Sequence, residues 1–111
     1  MNTKQLFFFI AFGLQFACNK VSSEKESTFY VRGNCDMCKE RIEQGVKTLP
    51  GISNAVWNSG TSTLIVSFDS TKVQELALHQ AVAATGHGTK LVEMDPKAHA
   101  QLPACCQVGG H

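Results

Sequence analysis

The sequence predicts an α+β domain of ferredoxin-like class, ordered β-α-β-β-α-β, with a four-stranded antiparallel sheet and both helices on one face. Three observations predict it. Four short runs rich in β-branched and aromatic residues interleave with two longer stretches whose apolar residues recur at helical spacing. Gly, Pro and Asn punctuate the joints. The chain has 111 residues, 43% of them apolar, which bounds it to one small domain.

The first strand is read at Thr28–Arg32, and Gly33-Asn34 end it. A helix follows over Asp36–Leu49, with Cys38, Ile42, Val46 and Leu49 forming one apolar stripe. Pro50-Gly51 stop it. Ile52–Trp57 is the second strand and Thr63–Phe68 the third, with Leu64, Val66 and Phe68 on one face. The short turn at Asn58-Ser59-Gly60 joins these two as a hairpin. Asp69 or Ser70 is read as the cap of a second helix over Thr71–Thr85, striped by Val73, Ala77, Leu78, Ala81 and Val82 and stopped by Gly86. The fourth strand is expected at Thr89–Met94. A helical turn near Lys97–Leu102 is expected in the tail, residues 95–111.

The residues before Thr28 do not read as fold. Lys4 precedes a nine-residue apolar run, Leu6–Leu14. As a helix this spans about 13 Å, short of a bilayer core of roughly 30 Å. Residues 1–17 therefore read as an export signal. Its end, Gln15-Phe16-Ala17-Cys18, resembles the lipobox of bacterial lipoproteins, which implies lipidation at Cys18; Gln15 stands where that motif usually has Leu. Residues 18–27 are polar and read as the lipidated Cys and a flexible tether. The expected location is extracytoplasmic, membrane-anchored on the periplasmic side, with a soluble secreted or periplasmic protein as the alternative.

Charge and cysteines narrow the chemistry. Ten Lys plus Arg against nine Asp plus Glu give a formal charge of +1, which excludes electrostatic capture of nucleic acid as the main activity. The chain carries five Cys. Besides Cys18, these are Cys35, Cys38, Cys105 and Cys106. Cys35-Asp36-Met37-Cys38 is a C-x-x-C, a pattern shared by zinc, redox and metal-transfer sites. Here it falls between a strand and the first turn of a helix. Free amide groups and the helix dipole favour thiolate there. Two thiolates in such a turn suit a soft ion such as Cu(I). A structural zinc needs four ligands, and the turn supplies two.

Here the sequence resembles the heavy-metal-associated domain family of copper chaperones, copper-exporting ATPase modules and periplasmic mercury-binding proteins. The resemblance rests on Gly33, Cys35-x-x-Cys38, Ile42-Glu43, Leu49-x-Gly51-Ile52, Leu64-x-Val66 and Ala84-x-Gly86-His87, over residues 28–94. It departs in one place. The family's Gly-Met-Thr-Cys is shortened to Gly33-Asn34-Cys35, and the Met stands inside the motif as Met37. The resemblance implies Cys35 and Cys38 as metal ligands and a binding protein, not an enzyme. The softness of the thiolates makes Cu(I) the first expected cargo, with Hg(II), Zn(II) or Cd(II) as alternatives among which the resemblance does not choose. The implied partner is a metal-transporting ATPase or another metal-transfer protein.

Neighbouring residues carry secondary expectations. His87, in the turn after the second helix, is a candidate third ligand or a tuning residue, against an exposed turn histidine with no role. His79 is read as a surface residue. Met37 is expected to fold onto the core, although its thioether suits Cu(I). Asp36 is read as a helix-start residue, and Lys39 and Arg41 as a solvated face. Cys105 and Cys106 are adjacent in sequence, which disfavours a bridge between them. Three readings of the tail stay open: added ligands for the first site, a second soft-metal site with His111, or disulfides within or between chains. Two other functions share some of these features. A thiol–disulfide oxidoreductase also uses C-x-x-C, but neither Gly nor Pro lies between these cysteines. An interaction module would dock through Val56 and Ile65 on the outer face of the hairpin.

Overall fold

The computed structural model describes residues 23–107. The expected signal, the lipidated Cys18 and His111 lie outside them. The order is β1 (Glu24–Tyr30), α1 (Asp36–Lys47), β2 (Ile52–Asn58), β3 (Thr63–Asp69), α2 (Glu75–Ala84), α3 (Pro96–Ala100) and α4 (Ala104–Gln107). The strands form an antiparallel sheet in the order β1-β3-β2. β3 is central. Phe29 faces Leu64 on one side of it, and Trp57 faces Leu64 on the other.

Alternation fixes the buried face. Leu64, Val66 and Phe68 of β3 point inward with Phe29, Ala55 and Trp57, while Ile65, Val56 and Tyr30 face outward and are exposed. The inward residues share one core with Cys38, Ile42 and Val46 of α1 and Leu78 and Val82 of α2. Both helices therefore lie on one face, as the stripes predict. The helices approach closely at Gly45, where an added Cβ would meet Thr85 Cγ2 at 2.4 Å.

The sheet has three strands among the described residues, where four were expected. β1 stands at the edge where the fourth would pair. Only Thr89 bridges to Val31, and Arg32 N donates to Gly88 O at 2.9 Å. The reason is local. The amides of Leu91 and Val92 donate to Thr89 Oγ1 at 3.2 and 3.0 Å, and Thr89 N donates to Val92 O at 2.9 Å. A threonine hydroxyl thus takes amides that a ladder along β1 would need.

Two boundaries also differ. β1 starts at Glu24, inside the expected tether, because Glu24–Ser27 pair with Val66–Asp69. Asp69 does not cap α2. Its carboxylate accepts from Thr71 N (2.9 Å) and Thr71 Oγ1 (2.6 Å), holding a turn, and α2 begins after Gln74. The tail helix is close to expectation: Asp95 caps α3 by accepting from Lys97 N at 3.0 Å, with Pro96 in its first turn. Gly86 lets α3 dock against the end of α2. Its φ is +102°, and a Cβ there would lie 2.9 Å from the His99 backbone. No described helix is long and apolar enough to cross a membrane.

Candidate metal centre

The loop from β1 to α1 rests on an indole floor. Gly33 packs so closely on Trp57 that an added Cβ would lie 2.8 Å from Cη2 and Cζ2 of the ring. Trp57 is 1% exposed, and its Nε1 donates to Val31 O at 3.0 Å. Glu43 holds the strand beneath by accepting from Trp57 N at 2.8 Å, and Lys39 Nζ reaches Glu43 Oε2 (2.5 Å) and Trp57 O (3.1 Å). Lys39 thus braces the floor, where a solvated face was expected. The sequence offered no sign of Trp57's role beyond its inward register on the second strand.

Cys35 is the N-cap of α1 in extended conformation, and its carbonyl accepts from Cys38 N (2.9 Å) and Lys39 N (3.1 Å). Its side chain is half-buried, while Cys38 is fully buried on the first turn. The two Sγ atoms stand 3.5 Å apart, and Asn34 N donates to Cys38 Sγ at 3.3 Å.

The tail enters the same site. Cys106 on α4 is fully buried, with its Sγ 2.7 Å from Cys38 Sγ and 3.7 Å from Cys35 Sγ. Cys105 Sγ lies 3.9 Å from Cys106 Sγ and 3.8 Å from Met37 Sδ. All four described cysteines are free thiols. Of the three tail readings, the geometry brings these thiols to the first site. Met37 is exposed beside Cys105 and not folded onto the core.

His87 is fully buried, not an exposed turn residue. Its Nδ1 lies 2.9 Å from Arg32 O. A carbonyl only accepts, so Nδ1 carries the proton and donates it to Arg32 O. The potential donor atoms form two groups, each within 4.8 Å: Cys35 with Cys105 and Cys106, and Cys38 with His87 and Cys106. His79 lies apart from them. It is buried, contrary to its surface reading, stacked on Phe29 at 3.7 Å and bonded through Nδ1 to Thr89 Oγ1 at 2.8 Å. Asp36 and Arg41 are exposed.

The thiols differ in acidity. Hydrogen bonding from Cys105, aided by Cys38 and the Met37 amide and opposed by burial, lowers Cys35 to about 7. Cys105 is pushed up by the neighbouring Cys35 sulfur and by burial. Burial first, then hydrogen bonding to Cys38 and Cys35, pushes the Cys106 thiol far up. One thiolate at a helix start beside neutral thiols is a nucleophilic, soft-ligand environment.

Comparison with known proteins places this geometry. Residues 28–88 match the heavy-metal-associated domain. The chain is 32% identical over 68 residues to a copper-exporting P-type ATPase of Bacillus subtilis (strain 168), covering 60% of this chain and 8% of that protein. Its fold is similar to the CopZ metallochaperone, with a TM-score of 0.57 at 23% identity over 59% of this chain and 98% of that one. It is equally similar to oxidized MerP from Ralstonia metallidurans CH34, with a TM-score of 0.57 at 24% identity over 60% and 94% of the two chains. The thiol-bearing turn between β1 and α1 falls within the matched segment, and the tail thiols fall beyond it: the chain belongs to the heavy-metal-associated domain family.

Proposed function

We propose that this protein is a non-catalytic carrier of a soft heavy-metal ion, Cu(I) first, taken up by the thiolates of Cys35 and Cys38. The observation that carries the reading is the pair of Sγ atoms 3.5 Å apart at the start of α1, one of them on a thiol lowered to about 7. Family membership supports metal binding, and the copper-exporting relative supports copper. Thiolates also accept Hg(II), Zn(II) and Cd(II), which are the alternative cargoes. The partner is a metal-transporting ATPase or another protein that presents thiolates. The apolar run Leu6–Leu14 and Ala17-Cys18 support an extracytoplasmic setting, with a lipid on Cys18 tethering the domain to a membrane.

Anaerobic titration of the reduced protein with Cu(I), against a chromogenic chelator, tests the reading. Tight binding is expected in the wild type and is lost in Cys35→Ser/Cys38→Ser, while circular dichroism of the double variant stays folded. Full binding by the double variant overturns the assignment. Reduction of insulin disulfides above background assigns an oxidoreductase instead.

A further inference from the structure

We propose that Cys106 is a third ligand, carried by a tail that closes over the ion, so that release requires a partner's thiolate to displace it. The inference rests on the reading that Cys35 and Cys38 hold the ion, and adds how the ion is retained and let go.

The tail is built into the fold. Leu102 is 5% exposed within the core, and Cys106 itself is fully buried. Asp95 N donates to Ala83 O at 3.0 Å, tying the tail's start to α2. His99 Nδ1 donates to Gly86 O at 3.1 Å. At the site, Asn34 Nδ2 donates to Cys105 O at 3.0 Å, joining the metal loop to α4. Gln107 Nε2 donates to Leu102 O at 2.5 Å and closes the turn that presents Cys106. These contacts hold a thiol over the C-x-x-C, from a segment that lies beyond the family's matched residues.

The spacing fits a shared ion. Sulfurs about 2.3 Å from a metal stand about 3.8 Å apart in a tetrahedron and about 4.0 Å apart in a plane. The Cys35–Cys38 and Cys35–Cys106 separations are 3.5 and 3.7 Å. Cys38 and Cys106, at 2.7 Å, must part by about 1 Å to bind the same ion. His87 brings a ring nitrogen within 4.8 Å of the Cys38 and Cys106 sulfurs, while its Nδ1 donates to Arg32 O at 2.9 Å.

Loading and release balance without electron transfer. On loading, the Cys106 S–H bond breaks, a Cu–S bond forms and the proton passes to solvent. On release, an incoming thiol loses its proton and binds copper, the bond from Cys106 breaks, and Cys106 takes up a proton. Copper remains Cu(I) throughout. A two-ligand site leaves room for a partner's sulfur, whereas a third internal ligand occupies it.

The test uses the full reduced chain loaded anaerobically with one Cu(I). X-ray absorption is expected to count three sulfur neighbours in the wild type and two in Cys106→Ser. Bathocuproine disulfonate is expected to strip copper from Cys106→Ser at a chelator concentration at least tenfold below that needed for the wild type. Two sulfurs in the wild type overturn the inference and leave the Cys35–Cys38 reading standing. That count needs no variant, so misfolding of Cys106→Ser cannot obscure it. No Cu(I) bound by the wild type overturns both readings.

Discussion

Gly33→Ala tests whether the indole floor sets the position of the metal loop. The new Cβ would stand 2.8 Å from two atoms of the Trp57 ring and 3.3 Å from Cys38 Cβ. The ring cannot swing away without giving up its bond to Val31 O, and Glu43 anchors the strand below it. Overpacking of this kind costs about 1–3 kcal/mol. The smaller unfolded-state entropy of Ala returns about 0.4–1 kcal/mol, because Gly33 does not require a positive φ. From the middle of each range the net loss is about 1.3 kcal/mol. A domain of this size loses about 4–8 °C in melting temperature for each kcal/mol, so a fall of about 5–10 °C is expected. Thermal unfolding followed by Trp57 fluorescence reads it directly. A chelator competition should show weaker Cu(I) binding, since the displaced loop carries two of the proposed ligands, Cys35 and Cys38. A melting temperature within about 2 °C of the wild type, with unchanged affinity, would refute the claim that the floor is rigid.

Trp57→Phe leaves the buried Val31 carbonyl without its indole donor, and denaturant unfolding should show a loss of about 1–3 kcal/mol from that term alone. Burial lowers the His79 pKa from 6.5, with Glu75 opposing. Its neutral form therefore favours the fold above pH 6.5, and stability is lost as pH falls through the folded-state value. His79→Gln should flatten that loss between pH 7 and 5, and an imidazole that titrates by NMR at or above 6.5 refutes the assignment. Cys35, lowered to about 7, should be alkylated by iodoacetamide with a rate that climbs steeply from pH 6 to 8, while Cys106 stays protected. Equal labelling of both in the folded protein, read by peptide mass spectrometry, contradicts the burial of Cys106.

The inner stripe of α1 was legible because Cys38, Ile42 and Val46 keep helical spacing and all face the core. The hairpin was legible because Leu64, Val66 and Phe68 alternate. Thr89–Met94 has strand composition, yet side-chain capture of its own amides decides its conformation, and composition does not register that competition. His79 misled for a similar reason. A histidine on a helix reads as polar, but stacking on Phe29 and a bond to Thr89 make burial tolerable. At the site, the C-x-x-C stood out by its spacing together with its place between a strand and the first turn of a helix. The approach of Cys106 did not, because it depends on Leu102 docking and on Asn34 reaching Cys105 O, contacts between residues far apart in the chain.

Among the described residues β1 is an edge strand, and an open edge is a template on which other chains add strands. The sequence along that edge answers the hazard. Glu24, Lys25 and Glu26 put three consecutive charges on its first half, and Thr89 seals its far end by bridging to Val31. A neighbouring strand would have to bring matching charges in register or desolvate these. The domain is thereby guarded against edge-to-edge aggregation along the open side of the described three-stranded sheet.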